Sequence, residues 1–388
     1  MATTDKSEFI LFDTDLTTRL SILPAANARF YIESCEPGSG ELKIPLDSTA
    51  ASLVTVGMFI GFYYRGSLRG GWFVDNIVKG MADASENGER WMSLSGRGGL
   101  ALLDRDIVQD SGGNGVREFT NAKKGCILKT FIDEAQTAGG LAALTYNVNL
   151  ATKDTAGNNW TDSENYSFNV GLTLLELLRQ FARTGFEYDI SFSGGDFLLA
   201  TYKNGKGSDL SETIYFRTGT NCEEVKSDER GEDITNVYKV AWQDGFVQVT
   251  DPPSILAYGR RVKYLDAKLA QSSASAITYA SAVLANDSEP LKSISVKIYD
   301  GIGPRLFIDY NIGDYIMLDV LGVETKYRVL GIQADFNGDD FSDVTVELNN
   351  IVYENELKLT RDLDWLKNQW TTAHNAGLLE TSYWAAIG

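Results

Sequence analysis

The chain has 388 residues, which is too long for one ordinary domain and predicts two or three. Hydrophobic residues make up 43% and charged residues 23%, which is the composition of a folded protein and excludes a disordered one. The formal net charge of −18 comes from 53 acidic and 35 basic residues. Such a surface repels phosphate backbones, so nucleic-acid binding is disfavoured. The charge either keeps the protein soluble or lets nucleic acid pass without binding.

Residues suited to catalysis or metal binding are scarce. His374 is the only histidine, which excludes zinc sites built on two or more histidines and leaves one position for the base of a catalytic triad. Cys35, Cys126 and Cys222 are far apart and lack a C-x-x-C spacing, so we expect no zinc site, redox motif or disulfide framework. No catalytic spacing stands out. We therefore expect neither an enzyme nor a bound cofactor or metal.

The N-terminal segment is acidic and has no long apolar core, so it does not resemble a signal peptide. No run approaches the roughly 18 apolar residues that a membrane helix needs. We expect a protein without a membrane anchor that folds in a reducing cytoplasm.

Residues 8–95 are predicted to form short strands. Runs such as FILFD, ARFYIES and GELKIPL are rich in β-branched and aromatic residues, and Gly, Pro, Asn and Asp separate them. Ile60, Phe62 and Tyr64 lie at alternate positions, as in a strand with one buried face. This region predicts a small barrel or sandwich.

The pattern changes at Gly96, where an α+β region begins. GLALLDRDIV predicts a short helix, and ILKTFIDEAQTAGG predicts a second helix that ends on a glycine pair suited to a C-cap. TLLELLRQFAR predicts an amphipathic helix, and a hairpin is predicted around Ser193–Asp196. The inward side chains of the amphipathic helix are predicted to be Leu174, Leu175, Leu178, Phe181 and Ala182.

A second β region follows the charged segment KSDERGEDITN, and residues 266–286 within it predict an Ala-rich helix. In DFNGDDFSD, residues 335–343, Asp335, Asn337 and Asp339 have the alternate spacing of a calcium loop. The glycine, however, is fourth instead of sixth, and Val346 stands where the loop needs glutamate, so a hairpin is favoured. Residues 351–388 are predicted to be helical, either as a docking element or packed back on their own domain; their aromatic residues are Tyr353, Trp365, Trp370, Tyr383 and Trp384.

Three segments together carry a family likeness. WMSLSGRGGLALLDRDIV places Ser95, Gly96 and Arg97 at a strand end and Leu102, Leu103, Asp104 and Arg105 on a short helix. ILKTFIDEA and LTLLELLRQFARTGFEYDI give the order helix, polar stretch, helix, strand, and YNIGDYIMLDV turns at Gly313-Asp314 before further strands. Over about residues 8–350 this order resembles the tail-hub or baseplate-hub family of long-tailed bacteriophages. The family includes late-control protein D, and the branch from non-contractile tails is favoured here.

The resemblance implies a mainly β fold with an α+β insertion. Residues 1–96 would form a first tube-like β-barrel or sandwich domain, 97–230 the inserted α+β domain, 231–350 a second tube-like β domain with one helix, and 351–388 a helical C-terminal segment. It also implies a structural virion protein. A homotrimeric ring at the distal end of the tail would adapt a six-fold tube to a three-fold tip.

The implied partners are the distal tail protein, the tape-measure protein and downstream tip or fibre proteins. DNA would pass through the lumen without specific binding, helped by acidic walls, and the protein would assemble in the host cytoplasm and reside at the virion tail tip. Two alternatives stay open: a tail-tip receptor- or carbohydrate-binding protein, and a tail-associated cell-wall hydrolase. Only about 38 residues follow the hub-like region, which is too few for an enzyme domain.

Overall fold

The computed structural model describes residues 7–348, apart from 26, 82–89, 110–114, 162, 183–185, 194, 204, 233, 243–244, 268–272, 300–301, 321 and 338–339. The aromatic segment 351–388 and His374 lie outside the described residues. Strands predominate, so the predicted mainly β fold is confirmed. Within the described ranges, no helix has both the length and the apolar character needed to cross a membrane.

The first unit is a two-layered β structure, as residues 8–95 predict. Its strands are β1 (Ser7–Phe12), β2 (Arg19–Leu23), β3 (Asn27–Glu33), β4 (Glu36–Pro45), β5 (Phe59–Tyr64), β6 (Ser67–Phe73), β7 (Asn76–Met81) and β8 (Arg90–Arg97), with a 3₁₀ helix over Ala50–Leu53. One sheet has the order β2-β1-β5-β6, and β3, β4, β8 and β7 belong to the other. Phe9, Phe62 and Trp72 fill the space between them, with the Phe9 ring 5.5 Å from Phe62 and 5.9 Å from Trp72.

The middle unit contains the predicted helices and hairpin. Its elements are a 3₁₀ helix (Gly99–Arg105), β9 (Val116–Ala122), α1 (Lys124–Thr137), β10 (Leu144–Tyr146), β11 (Glu164–Asn169), α2 (Leu174–Ala182), β12 (Glu187–Ser193) and β13 (Asp196–Tyr202). The inward residues of α2 are buried as predicted, except that Ala182 is only partly so. Gly139 follows α1 with φ +92°, the left-handed conformation that the predicted C-cap requires. The hairpin is confirmed, since Ser193 pairs with Asp196.

The rest of the described chain forms a second β unit and a small α+β unit inserted into it. The elements are β14 (Tyr215–Phe216), β15 (Cys222–Arg230), β16 (Val237–Trp242), β17 (Gly245–Thr250), α3 (Pro252–Tyr258), β18 (Val262–Asp266), α4 (Ser273–Asp287), β19 (Leu291–Ile298), β20 (Tyr315–Val320), β21 (Val323–Asn337) and β22 (Asp340–Leu348). β14 and β20 extend the sheet beside the first half of β21. The hairpin predicted for DFNGDDFSD is confirmed, because Asn337 pairs with Asp340.

The small unit, residues 234–288, has a hydrophobic core of its own. Its sheet has the order β17-β16-β18, and α4 packs against one face of it. The prediction of a helix from residue 266 is wrong at its N-terminal end. Residues up to Asp266 belong to β18, because Leu265 pairs with Val240 in a parallel ladder and is buried, and the helix begins at Ser273.

One continuous sheet joins the first and second units. Eight of its strands follow the order β15-β19-β22-β21-β3-β4-β8-β7, and every neighbouring pair is antiparallel. The junction is the β3–β21 ladder, which runs from Glu33 opposite Gly331 to Asn27 opposite Asn337. Buried residues of both units form one hydrophobic cluster on the same side of this sheet.

Replacing Gly96 by alanine tests the close approach at the end of β8. A Cβ on Gly96 would lie 1.8 Å from the Phe73 carbonyl oxygen, a backbone atom that cannot rotate away. We expect Gly96→Ala to lower the free energy of unfolding by about 3 kcal/mol, the upper end of the usual cost of overpacking. Gly231→Ala is the matched control, because its Cβ would meet only Ile234 Cδ1 at 3.6 Å. Equal urea midpoints for the two variants would contradict the prediction.

Candidate assembly surface

The eight strands in the order β15-β19-β22-β21-β3-β4-β8-β7, here called the eight-strand path, form two halves of four strands with the same sequence of strand directions. Strands β3, β8, β22 and β15 run in one direction, and β4, β7, β21 and β19 run in the other. The half β3-β4-β8-β7 therefore begins and ends on strands with the same directions as the half β15-β19-β22-β21. The outermost strands of the path, β7 and β15, each have one neighbour along it.

The strands are also staggered along the path. The residues that pair with Tyr31 from strand to strand form a row across the sheet. In one direction this row ends at Arg97, the last residue of β8, and in the other it ends at Glu224, near the beginning of β15. The strands at the two ends of the path are thus offset along their length. Strands that tilt and slip in this way are what a sheet needs to close into a barrel.

The face of the path opposite the hydrophobic core is polar. Among the residues whose side chains the structure describes, the register places five basic ones and six acidic ones on this face: Arg29, Lys43, Arg97, Lys226 and Lys297, and Glu33, Glu41, Glu224, Asp228, Asp335 and Glu347. Several of these side chains pair with each other: Arg29 Nε lies 2.6 Å from Asp335 Oδ1, and Lys226 Nζ lies 3.4 Å from Glu224 Oε2. These described side chains nearly balance in charge, although the chain as a whole carries a net charge of −18.

Tyr31 and Glu347 form a hydrogen bond across the junction between the two units. The Tyr31 hydroxyl donates to Glu347 Oε2 at 3.1 Å. Burial raises the pKa of the Glu347 carboxyl, and the hydrogen bond from Tyr31 only partly opposes this shift. Burial also raises the pKa of Tyr31, with further contributions from the charges of Glu33 and Glu347, so its hydroxyl remains a donor.

The first family-like segment connects the first unit to the middle unit. The Arg97 backbone N–H donates to Asp75 Oδ2 at 3.0 Å, and Arg97 Nη1 donates to Asp104 Oδ2 at the same distance. The other oxygen of Asp104 accepts from Thr173 Oγ1 at 3.1 Å, just before α2. Thr173 and Glu176 form a reciprocal capping box there. Leu102 and Leu103 are buried, so this segment is structural.

A second connection joins the middle unit to the second unit through Arg328. Its guanidinium forms a bidentate ion pair with Glu187, with Nη2 at 2.6 Å from Oε2, and it also donates to the carbonyl oxygens of Lys206 and Gly313. Asp314, in the turn singled out from the sequence, accepts from the Ser208 N–H at 2.8 Å. Neither Arg328 nor Glu187 was predicted from the sequence, because no local motif marks either residue.

The remaining residues singled out from the sequence do not form a reactive centre. Cys35, Cys126 and Cys222 are free thiols, and burial raises the pKa of Cys35 to about 11, which keeps it protonated near neutral pH. Cys35 lines a cavity of about 240 Å³ where the three larger units meet. Among the residues that the structure describes, no three His, Cys, Asp or Glu side chains are grouped to hold a metal ion.

A scan of the sequence against protein-family models finds no match, and no curated protein sequence matches. Solved structures do match. The 43 kDa tail protein of prophage MuSo2 from Shewanella oneidensis superposes with a TM-score of 0.61 and 14% identity, over 88% of this chain and 98% of that one. The chain has the fold of a phage tail protein. A tail protein from Neisseria meningitidis MC58 gives 0.60 with 13% identity, over 89% of this chain and 97% of that one.

The tail-protein fold extends over nearly the whole chain. Prophage tail protein gp18 from Listeria monocytogenes EGD-e matches with a TM-score of 0.55 and 13% identity, over 93% of this chain and 99% of that one. The resemblance to phage tail proteins that the sequence predicts is confirmed at the level of the fold. At these identities the likeness carries no individual residue from one protein to another.

The Arg328–Glu187 pair is expected to contribute strongly to the stability of this tail-protein fold. The two side chains are only 17% and 18% exposed, and removing one partner would leave the other charge buried. We expect Glu187→Gln to cost about 3–5 kcal/mol at pH 7. Although burial acts to raise it, hydrogen bonds from Arg328 and the Lys206 backbone lower the pKa of Glu187. The cost should therefore be complete at neutral pH and shrink as the pH falls below about 4.3.

Urea unfolding of the two proteins as a function of pH measures this cost. Asp335→Asn is the matched control, because its partner Arg29 is 64% exposed and the change should cost less than about 1 kcal/mol. A Glu187→Gln cost no larger than that of Asp335→Asn would show that the pair is not important for stability.

Glu347→Gln should have the opposite pH dependence. Since burial raises the pKa of Glu347 in the folded state, ionisation of this carboxyl costs stability as the pH rises through and above about 4.3. The substituted amide keeps an acceptor for Tyr31 and cannot ionise. We expect the variant to be more stable than the parent chain near pH 7 and to lose this advantage below about pH 4, as measured by thermal melting. A variant that is less stable at pH 7 would contradict this expectation.

Proposed function

We propose that this protein is a structural tail hub, a homotrimeric ring at the distal end of a phage tail that adapts a six-fold tube to a three-fold tip. The observation that carries the proposal is the eight-strand path, whose two halves have the same strand directions. Each chain would then supply two near-equivalent segments, so that three chains would supply six.

The strand directions favour a closed, heterologous ring. Placing β7 of one copy beside β15 of the next creates an antiparallel pair, with the same polarity as β3 beside β21 within the chain. The stagger of the strands supplies the tilt that closure requires. Closure would also cover two strand edges that would otherwise invite uncontrolled association.

The polar face of the path would line the channel in such a ring, because the core side is already covered by the outer layers. Its paired charges give little net attraction for phosphate, which suits passage of DNA and tape-measure protein without specific binding. The acidic wall expected from the overall charge is not part of this proposal, since the described acidic and basic side chains on this face nearly balance.

The tail-protein fold supports a virion component, and the hub role specifies its neighbours. These would be the distal tail protein and the tape-measure protein on one side, and tip or fibre proteins on the other. Assembly in the host cytoplasm and residence at the tail tip belong to this proposal, as does the absence of catalysis. The segment 351–388 remains our candidate for the contact with the next tail component.

A charge placed on a free edge should prevent ring closure. Val78 in β7 is 53% exposed, so Val78→Asp should leave the fold intact but disfavour pairing with another strand. We expect the parent chain to form particles of three times its mass of 42.7 kDa in mass photometry, and the variant to be mainly monomeric. Val78→Thr keeps a β-branched side chain and should assemble normally. A parent chain that stays monomeric at all concentrations and in assembled tails would refute the ring.

A further inference from the structure

The small unit, residues 234–288, has a sheet face that α4 does not cover, although Val237 and Ala241 in its central strand are buried there. α4 packs on the side of Tyr238 and Val240, whereas the opposite side presents Phe246, Tyr264 and Val262. These three side chains are 75%, 58% and 41% exposed. Apolar side chains that are clustered on one face and left in water are typical of a surface that binds another protein.

The charges around this face differ from those of the chain as a whole. By register Lys239 lies on this face, and Arg260 and Arg261 are exposed just before β18, whereas Lys263 is exposed on the side of α4. Of the described acids, Asp251 caps α3 and Asp287 accepts from Tyr238, and the partly exposed Asp266 is the one on this face. In a chain with a net charge of −18, such a patch favours an acidic partner, and a second copy of this chain is one.

The fold places this unit at the boundary between copies. It follows Arg230, the last residue of β15, and β15 is the strand that would pair with β7 of the next copy. Antiparallel pairing brings the end of β15 beside the beginning of β7, at Asn76. The small unit would therefore stand next to the corner where β6 passes into β7.

The corner between β6 and β7 has exposed apolar side chains and nearby acidic residues, which complement the apolar, basic face of the small unit. The Gly57 N–H donates to the Val74 carbonyl at 2.9 Å, which fixes the turn before β5 beside the corner. On this turn Val56 is 61% exposed, and nearby Leu53 is 40% exposed. The acidic turn at Asp13–Thr18 is adjacent, since a Cβ on Gly57 would meet Thr14 Cγ2 at 3.8 Å. Asp15 in that turn is exposed, so the apolar corner has an acidic border.

We propose that the open face of the small unit, which includes Phe246 and Tyr264, docks on the neighbouring copy at the corner between β6 and β7, beside Val56. This contact would stabilise the trimeric ring. This inference rests on the proposed trimer. The apolar side chains would be buried against Val56 and Leu53, while the basic rim would meet the acidic turn at Asp13–Thr18. The small unit then acts as a clasp at each of the three boundaries.

Photo-crosslinking in the full chain tests the contact. With Phe246 replaced by p-benzoylphenylalanine, irradiation of trimers made from mixed isotope-labelled and unlabelled chains should link residue 246 to residues 50–57 or 13–18 of another chain. The same replacement at Ile277, which is 42% exposed on α4, should give no link to these segments. Trimers whose links from residue 246 are all intrachain, or reach other surfaces, would overturn the docking but leave the ring intact.

A paired substitution measures how much the contact contributes. Phe246→Ser with Tyr264→Ser should raise the concentration at which trimers dissociate at least tenfold, without changing the melting of the monomer, because both side chains are exposed. Ile277→Ser should leave assembly unchanged. An unchanged trimer with the double variant would refute the clasp alone, whereas a parent chain that never forms trimers would refute both the ring and the clasp.

Discussion

The pairing of β3 with β21 is the interaction on which the rest of the structure depends. It joins segments about 300 residues apart, as the ion pair between Arg29 and Asp335 shows, 306 positions from one to the other. Without this ladder the two β units would be separate sheets with two more open edges, those of β3 and β21. With it, their cores become one cluster, their polar faces become one surface, and only the outer edges of the path stay available.

The ladder also explains where the inserted units stand. Because β8 and β15 run in the same direction, the chain leaves the sheet at the same rim after Arg97 and after Arg230. The middle unit follows the first exit and the small unit follows the second. The middle unit is held by Arg97 on one side and by Arg328 on the other, and it shares a hydrophobic core with the first unit. The small unit has its own core, which leaves one of its faces for a neighbour.

Much of the local structure could be predicted from the sequence, because the relevant interactions are local. The 3.6-residue spacing of Leu174, Leu178 and Phe181 predicts α2, and the glycines after α1 predict its end. Gly96 belongs to the family-like motif, but its close approach to the Phe73 carbonyl within β8 became visible only in the structure. The family-like segments predict a tail protein because their order reflects the order of the elements along the chain.

Other features could not be predicted, because they depend on contacts between distant residues. Neither β3 nor β21 carries a local signal for the other, and the arginine that clamps the middle unit is one of many. The strands β16–β18 have ordinary strand patterns, and only their tertiary pairing shows that they form a separate sheet. The net charge of the chain likewise did not predict where its charges lie, since the described acidic and basic side chains on the polar face of the path nearly balance although the chain is strongly acidic.

Hydrogen exchange on the edge strands tests the central claim most directly. If the ring closes through strand pairing, backbone amides of Asn76–Met81 and Cys222–Arg230 should exchange much more slowly in assembled particles than in dilute monomer. Amides of Leu144–Tyr146, an edge strand in the middle unit, should exchange at the same rate in both. Assembled particles in which β7 and β15 exchange as fast as in the monomer would contradict the account.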